Sequence, residues 1–235
     1  MTEQSKIEWT DHNFDPWEGC QKDVHTQDAV KRINEAKERG ADFVNLAGLE
    51  IKEIPKKLLE LAQILCDLYL SDTDISDVSP LANLTKLEWL DLRRTGVSDI
   101  SPLANLTNLE RLSLWRTGVS DISSLANLKY LKELDLHYTK VSDVSPLAHL
   151  TNLEWLFLSD ANVSDISPLA NLTKLASLIL RGTNVSDISP LAHLPKLGWI
   201  DLSRSPLVKS AANIQTLEKL RENGCKIYGA QELMK

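Results

Sequence analysis

Apolar residues recur along this chain with a period of 22, in copies that begin at Leu65, Leu87, Leu109, Leu131, Leu153, Leu175 and Leu197. In the copy LEWLDLRRTGVSDISPLANLTN, residues 87–108, they hold places 1, 4, 6, 11, 14, 17 and 20: Leu87, Leu90, Leu92, Val97, Ile100, Leu103 and Leu106. The copy from Leu175 repeats the set with Leu178, Leu180, Val185, Ile188, Leu191 and Leu194. One short coil cannot bury that many apolar side chains, but a stack of coils can, so the spacing predicts a solenoid.

Within each copy, LxxLxL alternates with the period of a strand, which turns places 4 and 6 inward and places 3, 5 and 7 outward. Stacked copies then form one parallel sheet. The segment DISPLANL covers the other side as a short 3₁₀ turn, with Ser101 and its equivalents as candidate caps and Pro102 suited to the first turn. The predicted fold class is an α/β solenoid of about eight coils: a curved right-handed coil, with parallel β-sheet on the concave face, short 3₁₀ or irregular turns on the convex face, and helical caps. Residues 26–40, TQDAVKRINEAKERG, read as an N-terminal capping helix with Thr26 or Asp28 as N-cap and Ala29, Val30, Ile33 and Ala36 on its inner face. Residues 41–208 hold the repeats. Residues 209–235 read as a C-terminal cap, with a helix burying Ile214, Leu217 and Leu220 and a last short strand at CKIY.

The repeat closely resembles the 22-residue leucine-rich repeats of bacterial internalin-like proteins, on the pattern LxxLxLxxTxVSDISPLANLTN over residues 41–208. The resemblance implies the leucine-rich-repeat fold. The lead-in around ADFVNLAGLEIKEIP is similar to the segment that opens the repeats of some bacterial leucine-rich-repeat GTPases, but the chain has no GxxxxGK[ST] and no GTPase is implied. Residues 1–25 stand outside the repeat as an N-terminal extension. There SKIEWTDHNFDPWEGC, residues 5–20, resembles the start of a phage-derived radical-SAM-like family. That family needs further cysteines close by, whereas here Cys20 is followed only by Cys66 and Cys225, and one thiolate cannot hold a cluster. The segment is read as a relict or disordered fragment.

The outward places differ from copy to copy while the frame does not. Place 3 runs Asp67, Trp89, Arg111, Glu133, Trp155, Ser177, Trp199; place 5 runs Tyr69, Asp91, Ser113, Asp135, Phe157, Ile179, Asp201. Place 7 runs Ser71, Arg93, Trp115, His137, Ser159, Arg181, Ser203, and place 8 runs Asp72, Arg94, Arg116, Tyr138, Asp160, Gly182, Arg204. Four of the six tryptophans lie on this face. Trp, Tyr and Arg are the residue types that dominate binding hot spots, and adjacent strands ~4.8 Å apart bring them into one patch. The expected partner-binding residues are Trp89, Trp115, Trp155, Phe157 and Trp199 as apolar anchors, Arg93, Arg94, Arg111 and Arg116 as a basic flank, and His137 with Tyr138 beside them.

Net charge is −7, which disfavours non-specific attraction to nucleic acid or anionic membranes. The N-terminus has no basic start followed by an apolar run, and no segment approaches the ~18 apolar residues of a membrane span. Three cysteines without CxxC spacing suit reduced thiols, so a cytoplasmic location is expected. The row Asp77, Asp99, Asp121, Asp143, Asp165 and Asp187 could suggest calcium, but each Asp is better read as accepting backbone N–H groups in its own turn. The recurring Thr at place 9 is expected to bond the backbone of the neighbouring coil. His149 and His193 lie two coils apart, too far to share a metal. His137 near Asp135 lacks a nucleophile or oxyanion motif, so no catalysis, cofactor or metal is expected. The function expected is non-catalytic binding of a protein partner by a monomeric chain. Carbohydrate binding on the Trp platforms, nucleic-acid binding through the arginines, and an enzyme built on the N-terminal fragment stand as alternatives.

Overall fold

The computed structural model describes residues 24–230. The N-terminal fragment with its Trp9, Trp17 and Cys20, and with it the radical-SAM-like resemblance, lies outside the described residues.

Among the described residues, nine strands form one parallel sheet in sequence order. They are β1 Phe43–Asn45, β2 Asp67–Tyr69, β3 Trp89–Asp91, β4 Arg111–Ser113, β5 Glu133–Asp135, β6 Trp155–Phe157, β7 Ser177–Ile179, β8 Trp199–Asp201 and β9 Lys226–Tyr228. The register never slips: place 3 pairs with place 3 from Asp67 through Trp199, and β9 joins with Lys226 opposite Trp199. Short 3₁₀ turns such as Ser101–Asn105 and Ser167–Asn171 cover the opposite side, with Pro in the first turn. Between them the predicted inward residues are buried: Leu90, Leu92, Val97, Leu103 and Leu106 are fully enclosed and their equivalents match them. Each buried Leu contributes roughly 1.5–3 kcal/mol, so the core is a repeated sum rather than one centre.

The strands are shorter than the pattern suggests, covering places 3 to 5. Backbone bonding nonetheless continues past them. The N–H of place 8 donates to the place 7 carbonyl of the next coil, as in Asp72 to Arg93 (2.9 Å), Arg116 to His137 (2.9 Å) and Gly182 to Ser203 (2.8 Å). To aim that N–H, place 8 takes a left-handed conformation. Asp72, Arg94, Arg116, Tyr138, Asp160 and Arg204 have φ of 54–62°, with Gly48 and Gly182 at 73° and 68°. For a residue with a Cβ this conformation costs roughly 1 kcal/mol, set against a ladder bond in each coil from Gly48 to Gly182.

Two side-chain expectations are corrected. The place 9 threonines bond their own coil: Thr73, Thr95, Thr117, Thr139 and Thr183 each donate to the carbonyl three residues back at 2.7 Å. Ser205, in the last coil, does reach a neighbour's backbone, donating to the Leu180 carbonyl at 2.8 Å, and its hydroxyl stands 3.3 Å from that of Thr183. The turns are capped not by the Ser at their start but by the Asp two residues earlier. Asp99 Oδ1 accepts the Ser101 N–H at 2.8 Å, and Asp77, Asp121, Asp143, Asp165 and Asp187 do the same at 2.7–2.9 Å. The reading of that Asp row as backbone acceptors is what the geometry shows.

Helix α1, Val24–Arg39, covers the first coil with Ala29, Ile33 and Ala36. It contains both Thr26 and Asp28, so neither caps it; Thr26 is buried and Val30 only half-buried. Helix α2, Ala211–Glu222, begins at Ser210, whose hydroxyl accepts the Asn213 N–H. Leu217 and Leu220 face inward as expected, but Ile214 is half-buried and Asn213 takes the inner position. Its amide accepts from the Ile188 N–H and donates to the Ser186 and Val208 carbonyls, each at 2.8 Å. Three satisfied bonds make a buried amide compatible with the core and tie the cap to the last full coil.

Candidate functional site

The outward places lie side by side on the open face of the sheet, and most of their polar groups are already engaged with one another. On the place 3 row, the edge of Trp89 meets Tyr69 with ring centroids 5.0 Å apart, and the Arg111 guanidinium lies 4.0 Å from the Trp89 centroid. Such a stack holds Arg111 in place by up to about 1–2 kcal/mol. Burial pushes the Asp67 carboxyl up from its ordinary range, and nearby Arg111 pulls it back in part.

On the place 5 row, Asp91 is 1% exposed. Arg93 grips it with two parallel bonds, Nε to Oδ1 at 2.8 Å and Nη2 to Oδ2 at 2.7 Å, and adds its own N–H at 3.1 Å. Asp91 in turn raises the Arg93 pKa further above its ordinary value. Asp135 accepts from the Ser113 hydroxyl (3.1 Å) and the His137 N–H (3.0 Å), and His137 Nδ1 stands 3.2 Å from its Oδ1. His137 Nε2 is buried against no hydrogen-bond partner, with the Phe157 ring centroid 5.5 Å away. A proton there would be an unpaired buried donor, so this geometry fits the tautomer that carries hydrogen on Nδ1. Of these groups, Asp91, Arg93, Ser113 and Asp135 line a shallow cleft of about 240 Å³, which Trp89 and Arg111 also line.

Place 8 forms a third row of internal pairs. Arg94 bonds Asp72 at 2.9 Å. Arg116 lies 5.3 Å from the Trp115 centroid and 5.1 Å from that of Tyr138. Arg204 Nη2 passes over the coil between to reach Asp160 at 2.9 and 3.0 Å.

The structure thus brings the expected site residues onto one face but divides them. Arg93, Arg94, Arg111 and Arg116 are all held by partners within the chain. Trp89, Trp115 and Trp199 are too; Trp199 stacks on Tyr228 with centroids 4.8 Å apart and has Lys226 at 6.0 Å. Trp155, 39% exposed, has no ring or cation partner among the described residues. Beside it Phe157 and Ile179 are register partners, both half-buried. The Arg181 side chain, exposed at place 7, has no ion-pair or hydrogen-bond partner among the described residues. Sequence reasoning did not single out Ile179, Arg181 or Tyr228. Arg181 stands apart from the other arginines, and Tyr228 lies beyond the last copy of the repeat, so neither joined the visible cluster.

A family model for leucine-rich repeats, in two copies, matches residues 107–149 and 151–193. The fold is similar to that of an internalin (inlF) from Listeria monocytogenes, with a TM-score of 0.78 and 31% identity over 88% of this chain and 62% of that one. It is also similar to an internalin C2 (inlC2) from Listeria monocytogenes, with a TM-score of 0.73 and 32% identity over 81% of this chain and 88% of that one. This chain belongs to the internalin-like leucine-rich-repeat family. It spans under two thirds of the inlF internalin and most of the inlC2 internalin. A plant peptide hormone receptor, RGFR1, solved in complex with RGF2, is a more distant likeness, with a TM-score of 0.56 and 27% identity over 65% of this chain and 26% of that one. No curated relative matches at a significant level. Internalin-like repeats are generally protein-interaction modules. Among the described residues, no helix is long and apolar enough to cross a membrane.

Proposed function

We propose that this internalin-like chain is a non-catalytic binding module that holds a protein partner on the open, concave face of its sheet. The observation that carries the reading is a contrast between two kinds of position. The inward places repeat almost unchanged, while the outward places of the strands collect four tryptophans with tyrosine, phenylalanine and arginine, the residue types of binding hot spots. Part-exposed indoles on this surface gain further free energy when a partner covers them. The distant plant likeness, solved with RGF2 bound, supports the same use of a stacked-coil surface. The module acts as a monomer, in a cytoplasm that keeps Cys66 and Cys225 reduced.

Affinity capture with the wild-type chain beside the Trp115→Ala/Trp155→Ala variant tests the proposal. The variant should fold like the wild type and lose the captured proteins. Equal recovery by both chains would overturn the face as the binding surface. Capture of glycans alone on an array would favour the carbohydrate reading, and affinity for nucleic acid that falls steeply with salt would favour the nucleic-acid reading.

A further inference from the structure

A side chain already engaged within the chain must give up its contacts before it meets a partner, whereas an unengaged one gives up only water. On this face the distinction is sharp. The guanidinium groups of Arg93, Arg94 and Arg204 each hold a carboxylate, and those of Arg111 and Arg116 lie on indole rings. Among the described residues, the side chains of Trp155 and Arg181 are left over. They sit on neighbouring coils, at place 3 of β6 and at place 7 just past β7, with Phe157 and Ile179 paired between them. Small residues flank both ends. Ser177 separates Trp155 from Trp199 in the place 3 row, and Ser159 and Ser203 stand on either side of Arg181 in the place 7 row.

We propose that the strip from Trp155 to Arg181 docks an extended segment of a partner protein that presents apolar side chains and, a few residues on, a carboxylate. The inference rests on the reading of the sheet face as a partner-binding surface, and narrows it to the C-terminal half and to one ligand chemistry. By strand geometry the strip is roughly 14 Å long, the span of about four extended residues. Its apolar part, an indole edge with a phenyl ring and an isoleucine, matches aliphatic or aromatic side chains. Its end is a single cation. One guanidinium offers the two parallel donors that a carboxylate fills, whereas phosphate recognition draws on clusters of arginine. Sugars fit less well, because the strip offers few polar groups beside the indole and Ser159 is itself buried.

Panning a random dodecapeptide phage library against the full chain, with the Trp155→Ala/Arg181→Glu variant as counter-selection, tests the proposal. The selected peptides should share apolar residues followed by Asp, Glu or a free C-terminus. Their synthetic versions should bind about ten-fold or more weakly to Trp155→Ala and to Arg181→Glu. Replacing the carboxylate with lysine should restore binding to Arg181→Glu. Peptides without a carboxylate, or peptides that bind both variants as well as the wild type, would overturn the proposal. If those same peptides are instead lost on Trp89→Ala or Trp115→Ala, the face still binds proteins and only the assignment to this strip fails. If no peptide separates the wild type from the counter-selection variant, or if a glycan array returns Trp155-dependent sugars, the strip is not a docking site for a protein segment.

Discussion

Arg204 reaches the carboxylate of Asp160 across an intervening coil, two repeats away, because residue 182 between them is a glycine. A Cβ at Gly182 would stand 2.5 Å from Asp160 Oδ1 and 3.1 Å from Arg204 Nη2. Gly182 also has a φ of 68°, where a side chain is strained whatever the space. The same place 8 carries Asp, Arg or Tyr in most coils; Arg94 reaches Asp72, and Arg116 reaches Tyr138, each in an adjacent coil. Gly182→Ala should therefore cost about 1–2 kcal/mol, mostly from the backbone and partly from the displaced ion pair. Arg204→Ala should cost less than about 1 kcal/mol, because the pair is open to solvent on the arginine side. Urea unfolding of the two variants gives the comparison, and an equal cost would mean that the ion pair, not the backbone, sets the requirement for glycine.

Arg93 and Arg94 are neighbours in sequence with opposite expected consequences. Arg93 neutralises a carboxylate that is 1% exposed, whereas Arg94 pairs with Asp72 in the open. Arg93→Ala should leave Asp91 buried without its cation and cost about 2–3 kcal/mol; Arg94→Ala should cost under about 1 kcal/mol. Arg93→Ala/Asp91→Leu should recover much of the loss, since the carboxylate that needed pairing is gone. A coupling near zero in that double-mutant cycle would show that the two bonds between Arg93 and Asp91 carry no net stability.

Much of the frame was legible because it is written in every copy. Leu90 and Leu92 alternate with outward neighbours, and the structure buries both; the closing strand at Lys226–Tyr228 joined the sheet as expected. The capping residues were less legible, since Ser101 and Asp99 are both good acceptors and only the turn geometry selects Asp99. Asn213 was missed because a polar residue on an amphipathic helix reads as solvent-facing until its three backbone partners are known. On the outward face, composition located the aromatic and cationic groups but not their pairing. Arg94 and Arg181 look alike as letters, but Arg94, at place 8, has Asp72 in the coil beside it, whereas Arg181, at place 7, has Ser159 and Ser203 on either side.

Leu134 and Trp155 separate core from surface. Leu134, at inward place 4, is fully buried in the middle of the stack, and Trp155, at outward place 3 of the next coil, is part-exposed. Leu134→Ala should cost about 3 kcal/mol, the loss of transfer free energy plus a cavity that neighbouring coils cannot close. Trp155→Ala should change stability by no more than about 0.5 kcal/mol. Thermal and urea unfolding would read both. A large loss at Trp155 would mean that the indole is part of the packing, and would remove it as an anchor for a partner.

The aspartates that cap the 3₁₀ turns predict the acid limb of stability. The backbone N–H groups of Ser101, Ser145 and Ser167, helped by the serine hydroxyls, hold the carboxyls of Asp99, Asp143 and Asp165 below their ordinary value of 3.8. The unfolded chain then binds protons more readily than the folded one. The contribution of these caps is present in full above the unfolded value and is lost as pH falls through the lower folded values. In Asp99→Asn/Asp143→Asn/Asp165→Asn the amide oxygens can still accept the serine N–H groups but no longer titrate. The triple variant should melt below the wild type at pH 6, and the gap should narrow steadily as pH is lowered toward 2. Circular dichroism melts across that range measure it. Two parallel curves would show that these carboxylates bond their turns no better charged than neutral, and that the acid sensitivity of the solenoid lies elsewhere.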